Sequence, residues 1–409
     1  MIKKLLIGGL IIIPFITGLH LDPVMPFFRH GIISIKSIIS LIIACLIILY
    51  SIYYGQSKPF KYKLFLGLLF YLIVSPLYAP PYIELYKGYN ISGFWSYKPL
   101  LEILIYSGMI IVLSGIRIEH KEFNRILKVM MWCGSVMAGY IVLQYLKLEQ
   151  LYIMRDVGQS ELAGGPTNPH IFGFVGNGTL AAAFITICIP ICLYFKKWIH
   201  LIIMFLAVCL TKSQVAIVGS ILSASFFGIK HFGLSLQSIL ICMFLLFLLP
   251  IGYQKIQDNG RFSVWKQIVK DWYSPFEIYE ITDDMEEDEI KYISMLNKRK
   301  QVLTGKGLGS FKYIFSDRHK TIFKQAHNEF LEILDNIGMV GLGLVLANII
   351  FIFYMLRIGT GLDTVLLSCF VASCLCAAGT FIWQVEPTRF YSVSICGLLY
   401  NRIRNATSV

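Results

Sequence analysis

Arg261 and His327 are the residues of this chain best suited to chemistry, and both lie in one long polar stretch between apolar blocks. The guanidinium group of arginine is permanently charged and bidentate toward phosphate, so Arg261 suits a lipid diphosphate at a membrane surface. The imidazole of His327 can accept a proton near neutral pH. The pair predicts a site that binds a diphosphate and takes up a proton, although each residue taken singly also fits a solvated loop.

The segments around these two residues predict the elements that hold them. After Arg261, apolar residues recur at helical spacing through Trp265 and beyond, which predicts an amphipathic helix lying along the membrane surface. His327 directly precedes Asn328 and Glu329, where another helical pattern begins. The positive end of that helix disfavours the imidazolium form, and Asn328 or Glu329 would orient the ring.

Two further parts of the polar stretch carry weaker signals. The glycines of 305–309 follow no predicted strand and match no phosphate-binding loop, so they predict a tight backbone path, with Lys306 adding positive charge. The acidic run 283–289 lacks the alternating spacing of a calcium-binding loop, which favours a solvated surface. The sequence predicts no metal site and no cofactor.

Composition places this polar stretch within a membrane protein. The chain has 409 residues, of which 56% are hydrophobic, and its apolar blocks have the length that crosses about 30 Å of hydrocarbon. The short alternating segments of a membrane β-barrel are absent from the sequence. We therefore predict an all-α polytopic bundle of twelve spans, at residues 5–20, 33–54, 62–79, 99–117, 127–146, 173–195, 198–211, 213–229, 233–252, 334–356, 363–382 and 388–401.

Lysine and arginine collect in the short loops on one side of this bundle, which makes that side cytoplasmic. Both termini then lie in the cytoplasm, and 253–332 form one long extracytoplasmic loop between helices 1 to 9 (1–252) and helices 10 to 12 (333–409). The same rule accounts for the net charge of +12 without a nucleic-acid partner. All ten cysteines fall in apolar segments, which predicts free thiols.

Two other outer segments offer contacts for an anionic substrate. Lys212, in the polar tetrad Thr211 to Gln214, either snorkels to the interface or points into the bundle to meet an anion. The glycines and asparagines of 164–178 either break a helix beside a wet cavity or form a plain turn. Arg155 lies just upstream of them.

The order of these features resembles the O-antigen ligase and polymerase superfamily. The resemblance covers the twelve-span plan and, through motifs, residues 165–345. Its strongest part is the run His327 to Leu331 followed by Asn336 to Gly338. The remaining parts are the break before the span that ends at Pro190, the Thr211 tetrad, Arg261 with Trp265, the stretch Gly305 to Phe311, and Gly341 to Gly343.

This resemblance implies a GT-C-like fold in the bacterial cytoplasmic membrane. It also implies periplasmic, metal-independent and inverting transfer of an undecaprenyl-diphosphate-linked glycan to a hydroxyl of lipid A-core or another glycan. Arg261 would neutralise the diphosphate leaving group, and His327 would be the general base. The implied substrate-binding residues are Lys212, Gln214, Arg155, Asn328, Lys306 and Trp265. The family often has arginine at the position of Gln214, so either Lys212 or Arg155 would supply that charge.

Two other functional classes fit parts of the same pattern. A transporter of lipid-linked glycans needs symmetry between its halves and ionisable residues at mid-membrane depth. The sequence shows no convincing repeat and few charges inside the predicted spans. A non-catalytic assembly component would use the polar stretch only to bind a partner. Within the transferase class, ligation, polymerisation and transfer to a protein hydroxyl share one chemistry.

Overall fold

The computed structural model describes residues 1–15, 35–55, 62–78, 94–148, 173–175, 177–232, 261–273, 302–305, 326–356, 361–380 and 382–406. Every regular element in these ranges is a helix, which confirms the all-α prediction. The helices are α1 (Ile2–Phe15), α2 (Ile35–Tyr54), α3 (Lys63–Tyr78), α4 (Phe94–Gly115), α5 (His120–Tyr145), α6 (Gly178–Tyr194), α7 (Trp198–Leu210), α8 (Gln214–Phe232), α9 (Arg261–Tyr273), α10 (Glu329–Met355), α11 (Gly361–Ala377) and α12 (Thr388–Ala406). A short 3-10 helix, Gly173–Val175, precedes α6.

Helices occupy eleven of the twelve blocks predicted as spans, and the remaining block, 233–252, lies outside the described residues. Among the described helices, two are long and apolar enough to cross a membrane, namely α5 and α10. Several shorter apolar helices accompany them, including α6 and α11. The arrangement of twelve spans stays a prediction.

The chain forms two compact units. The larger unit contains Met1–Phe60, Ile105–Asn259 and Ile352–Val409, and the smaller unit contains Lys61–Leu104 and Gly260–Phe351.

Helix α6 lies in the core of the larger unit, where it packs against α5, α7, α8 and α11. All of its residues except Tyr194 are buried, because its side chains are small or apolar on every face. Asn177 caps its start, accepting hydrogen bonds from the N–H groups of Thr179 and Leu180 at 2.9 and 3.3 Å. The nine cysteines among the described residues are free thiols, as predicted.

Helix α12 holds the end of α4 in the same unit. The last carbonyl groups of a helix have no partner within the helix and need donors from elsewhere. The side-chain nitrogen of Asn401 donates to the carbonyl oxygens of Leu113, Ser114 and Ile116 at 2.9, 3.3 and 2.7 Å. One buried side chain therefore fixes where α4 stops.

The smaller unit contains α3, the first half of α4, α9 and most of α10. Helix α10 bends at Gly338, whose φ and ψ of 67° and −170° are not helical. Beyond the bend, α10 packs on α3, where the rings of Tyr62 and Phe351 lie 5.9 Å apart. The side-chain nitrogen of Asn348 also donates to the carbonyl oxygen of Leu64 at 3.5 Å.

Candidate functional site

Helix α9 is amphipathic, and its apolar face is buried. Val264 is 5% exposed and Ile268 is fully buried, whereas Lys266 and Lys270 are exposed. Residues three or four positions apart share one face of a helix, so this alternation follows from the sequence pattern. An amphipathic helix is therefore present as predicted and begins at Arg261, and its place along the membrane surface stays a prediction.

A hydrogen bond from Trp265 fixes α9 to the segment that contains His327. The indole Nε1–H donates to the carbonyl oxygen of Ala326 at 2.8 Å, which joins residues 61 positions apart in the sequence. Ala326 is buried together with Val264 and Ile268 in one small apolar cluster. Because an indole N–H that is partly withdrawn from water favours an acceptor, this bond helps to orient α9 against the segment.

The backbone on both sides of His327 is held by side chains of α10 and its cap. Before it, the N–H of Ala326 donates to Oε2 of Glu332 at 3.1 Å. After it, Oδ1 of Asn328 accepts from the N–H groups of the second and third helical residues at 3.0 and 3.1 Å. Asn328 is therefore the N-cap of α10. These bonds explain why the helix begins at Glu329, before the continuous apolar run.

His327 itself has a left-handed backbone conformation, with φ of 52°. Residues other than glycine rarely adopt it, and histidine tolerates it better than most. Such a conformation persists only where the surroundings hold it, which here means the bonds made at Ala326 and Asn328. The side chain is half-buried. The structure therefore presents an imidazole at a fixed position just before the start of α10.

Arg261 is the first residue of α9, and the start of a helix carries a partial positive charge. Trp265 follows one turn later, about 6 Å along the axis. Arg261 and His327 thus lie in one unit, on segments that contact each other through Trp265 and Ala326.

Gly305 of the polar stretch and Gly338 of α10 meet backbone to backbone. Gly305 and Gly338 have φ of 76° and 67°. A β-carbon on Gly305 would overlap the backbone of Asn336 and Ile337, and one on Gly338 would overlap the backbone of Leu303. Glycine alone permits both this conformation and this approach. The tight backbone path predicted for this motif is present at Gly305.

Side chains of α3 and α9 hold the two segments that meet there. The hydroxyl of Tyr71 donates to the carbonyl oxygen of Ile337 at 2.9 Å, next to the bend in α10. The indole N–H of Trp272 donates to the carbonyl oxygen of Val302 at 3.4 Å. The start of α10, residues 302–305 and α9 are therefore connected by hydrogen bonds as well as by packing.

Three buried carboxyl groups line one face of α10 after His327. Glu329, Glu332 and Asp335 are 4%, 8% and 2% exposed, and their spacing of three residues places them on the same side of the helix. Acidic side chains suit the first turn of a helix because its N-terminal end is positive. Within the described ranges, no three His, Cys, Asp or Glu side chains are grouped so as to hold a metal ion.

The remaining predicted substrate-binding residues belong to the larger unit or lie outside the described residues. Lys212 belongs to the larger unit, in the turn between α7 and α8, where it is exposed and has φ of 57°. Gln214 is the first residue of α8 and is half-buried. Arg155 and Lys306 lie outside the described residues.

A buried polar network in the larger unit was not predicted from the sequence. The hydroxyl of Tyr106 donates to Oε1 of Glu386 at 2.5 Å and shares a hydrogen bond of 2.6 Å with Ser40. Arg389 donates from Nε to the same carboxylate oxygen at 2.9 Å, and its guanidinium carbon lies 4.8 Å from the centre of the Tyr106 ring. All four side chains are buried. In the sequence, the one sign of this network was that Glu386 and Arg389 carry opposite charges three residues apart in an apolar region.

The smaller unit therefore combines a proton acceptor with a helix start that carries an arginine, a combination that can activate a hydroxyl and stabilise an anion. No protein-family model matches the sequence, and no curated protein matches it either.

Proposed function

We propose that this protein is a membrane glycosyltransferase that moves a glycan from an undecaprenyl-diphosphate carrier to an acceptor hydroxyl, in the manner of O-antigen ligases. The observation that carries the proposal is the contact of α9, which begins at Arg261, with the segment of His327 through Trp265 and Ala326. We expect this contact to bring a permanent positive charge and a proton acceptor to one site. Those are the two groups that transfer from a diphosphate needs.

In the proposed reaction, His327 accepts the proton of the acceptor hydroxyl while that oxygen attacks the anomeric carbon of the donor. The bond between the anomeric carbon and the diphosphate oxygen breaks, and its electron pair leaves with the lipid diphosphate. Arg261 and the first N–H groups of α9 stabilise the negative charge that develops on this leaving group. The oxygen attacks opposite the leaving group, so the anomeric configuration inverts.

The surfaces of the helices support a membrane setting for this reaction. Large apolar side chains are exposed on several of them, including Phe70 at 69%, Ile199 at 74% and Ile350 at 67%. Extended apolar surface of this kind suits lipid better than water. We place the chain in the bacterial cytoplasmic membrane with twelve spans, both termini in the cytoplasm and 253–332 in the periplasm.

The test is glycan transfer by the full-length protein purified into liposomes, with an undecaprenyl-diphosphate-linked oligosaccharide as donor. Lipid A-core and a second lipid-linked repeat unit serve as separate acceptors. Product on lipid A-core identifies a ligase, and a lengthened lipid-linked glycan identifies a polymerase. Movement of the donor across the bilayer with no product on either acceptor would contradict the transferase and favour a transporter.

His327→Asn is the most informative variant for the general base. Asparagine tolerates the left-handed conformation at this position, but its amide cannot take up the proton. We expect a loss of at least about 100-fold in the rate of transfer, with normal insertion into the membrane. Transfer at the wild-type rate would contradict the role of His327.

Arg261→Ala tests the stabilisation of the leaving group, and Lys270→Ala is its matched control. Each variant removes one positive charge from α9, and Lys270 is exposed on the face away from Ala326. We expect transfer to fall about 100-fold or more in Arg261→Ala and to change less than about twofold in Lys270→Ala. Equal losses in the two variants would contradict a specific role for Arg261.

A further inference from the structure

A cationic cleft lies in the larger unit, between the start of α1, the connection from α4 to α5 and the first turns of α5. Its volume is about 810 Å³. Four basic side chains line it, those of Lys3, Lys4, Arg117 and Arg125. Among the described residues on its wall, Glu122 supplies the one carboxylate.

Lys3 neutralises this carboxylate, which leaves the cleft positively charged. Its Nζ donates to both carboxylate oxygens of Glu122, at 2.6 and 2.5 Å. Lys4, Arg117 and Arg125 are exposed. Within the part of the chain that the structure describes, no hydrogen bond or ion pair engages these three side chains. Three positive charges therefore remain to meet an anion.

An apolar groove adjoins the cleft. It runs between α1 and α2 and has a volume of about 340 Å³. Met1 lines both the groove and the cleft. Its wall consists of Met1, Leu5, Leu46, Leu49, Tyr50, Tyr53 and Tyr54. Leu49 is 61% exposed and Tyr53 is 82% exposed. A site with a cationic end and an adjoining apolar end matches a molecule with an anionic head and a hydrocarbon tail.

We propose that the cleft and the groove together bind one anionic phospholipid of the cytoplasmic leaflet. Its headgroup phosphate contacts Arg117, Arg125 and Lys4, and an acyl chain lies along the groove. Basic pockets between helices on this side of a membrane bind acidic headgroups. The positive-inside rule explains which side the basic residues occupy, but not their convergence on one cleft beside an apolar groove. This inference rests on the membrane setting of the proposed function and not on its chemistry.

The experiment measures lipid retention by the purified full-length protein in detergent, using native mass spectrometry. The probes are phosphatidylglycerol, phosphatidylcholine with the same acyl chains, and glycerol phosphate as a headgroup without chains. We expect one phosphatidylglycerol to be retained in preference to phosphatidylcholine, and glycerol phosphate not to displace it. Equal retention of the two lipids would overturn the proposal, and displacement by glycerol phosphate would replace it with a site for free phosphate.

Two matched pairs of substitutions locate the site. Arg117→Ala/Arg125→Ala removes two charges from the cleft, and Lys121→Ala/Lys197→Ala removes two exposed charges that do not line it. We expect the first pair to weaken phosphatidylglycerol binding about 25-fold, which corresponds to about 1 kcal/mol for each charge. The control pair should bind as the wild type does, and an equal loss there would overturn the proposal. No glycan donor is present, so the result does not depend on transfer activity.

Discussion

Gly338 contacts Gly305 through the backbone, at the point where α10 bends. The atoms that a β-carbon would meet at either position belong to the backbone, so they cannot move aside as a flexible side chain could. The contact therefore sets the distance between residues 302–305 and the part of α10 that follows His327. Two glycines 33 positions apart in the sequence form one backbone contact in the smaller unit.

Gly338→Ala should destabilise the protein by about 3 kcal/mol or more, because the β-carbon would overlap Leu303 at a φ that alanine rarely adopts. Gly343→Ala is the control, since a β-carbon there meets nothing within 4 Å. In a helix that change stabilises by up to about 1 kcal/mol. The measurement is the unfolding temperature of each variant in detergent, compared with that of the wild type. Equal unfolding temperatures would mean that the backbone contact does not exist.

Trp265→Phe should slow transfer about 10-fold or more, because the segment of His327 loses the bond that positions it. The ring remains to fill the apolar cluster, so stability should fall by only about 1 to 2 kcal/mol. Trp272→Phe, the same change on the same helix, removes a longer bond of 3.4 Å to Val302 and should affect the rate less. Rates at saturating donor separate the two variants, and a larger effect at Trp272 would refute the positioning role.

Glu386→Gln should cost about 3 to 5 kcal/mol of stability, because Arg389 would keep its buried charge without a carboxylate partner. Glu386→Gln/Arg389→Met removes both charges and should recover part of the loss. Unfolding of the two single variants and the double variant gives the coupling energy. Purely additive effects would show that the two side chains do not stabilise each other.

Glu122 should make stability depend on pH. Burial of its carboxyl raises the pKa, but hydrogen bonds from Lys3 and from the Glu119 N–H, together with the charge of Lys3, outweigh burial and lower it below the ordinary 4.5. The ionised carboxylate therefore contributes stability above the ordinary pKa, and this contribution is lost as the pH falls through the lowered pKa.

The Glu122→Gln variant isolates this effect, because glutamine can keep the capping-box hydrogen bond to the backbone. We expect the wild type to be more stable than the variant at neutral pH by less than about 1 kcal/mol, since the pair is partly exposed. The difference in unfolding temperature should shrink toward about pH 3. A difference that grows on acidification would contradict the assigned direction of the shift.

The sequence was sufficient to predict the helices near the candidate site, but not the contacts between them. Helical periodicity after Arg261 and before the apolar run of α10 was sufficient to locate α9 and the start of the helix that follows His327. Local composition does not show which carbonyl the Trp265 indole will reach, nor that Gly305 and Gly338 will touch. Those contacts depend on how separate segments pack, as does the network that joins Tyr106 to Glu386.

In the proposed membrane setting, the bend at Gly338 also bears on how α10 responds to bilayer thickness. A straight spanning helix that tilts to match thinner lipid carries everything attached to it. The short arm of α10 is bound to Ala326 through Glu332 and contacts residues 302–305 at Gly338, so we expect tilt of the long arm to change the bend rather than to move the short arm. For the proposed transferase, vesicles of short-chain and long-chain phospholipids should therefore support equal turnover.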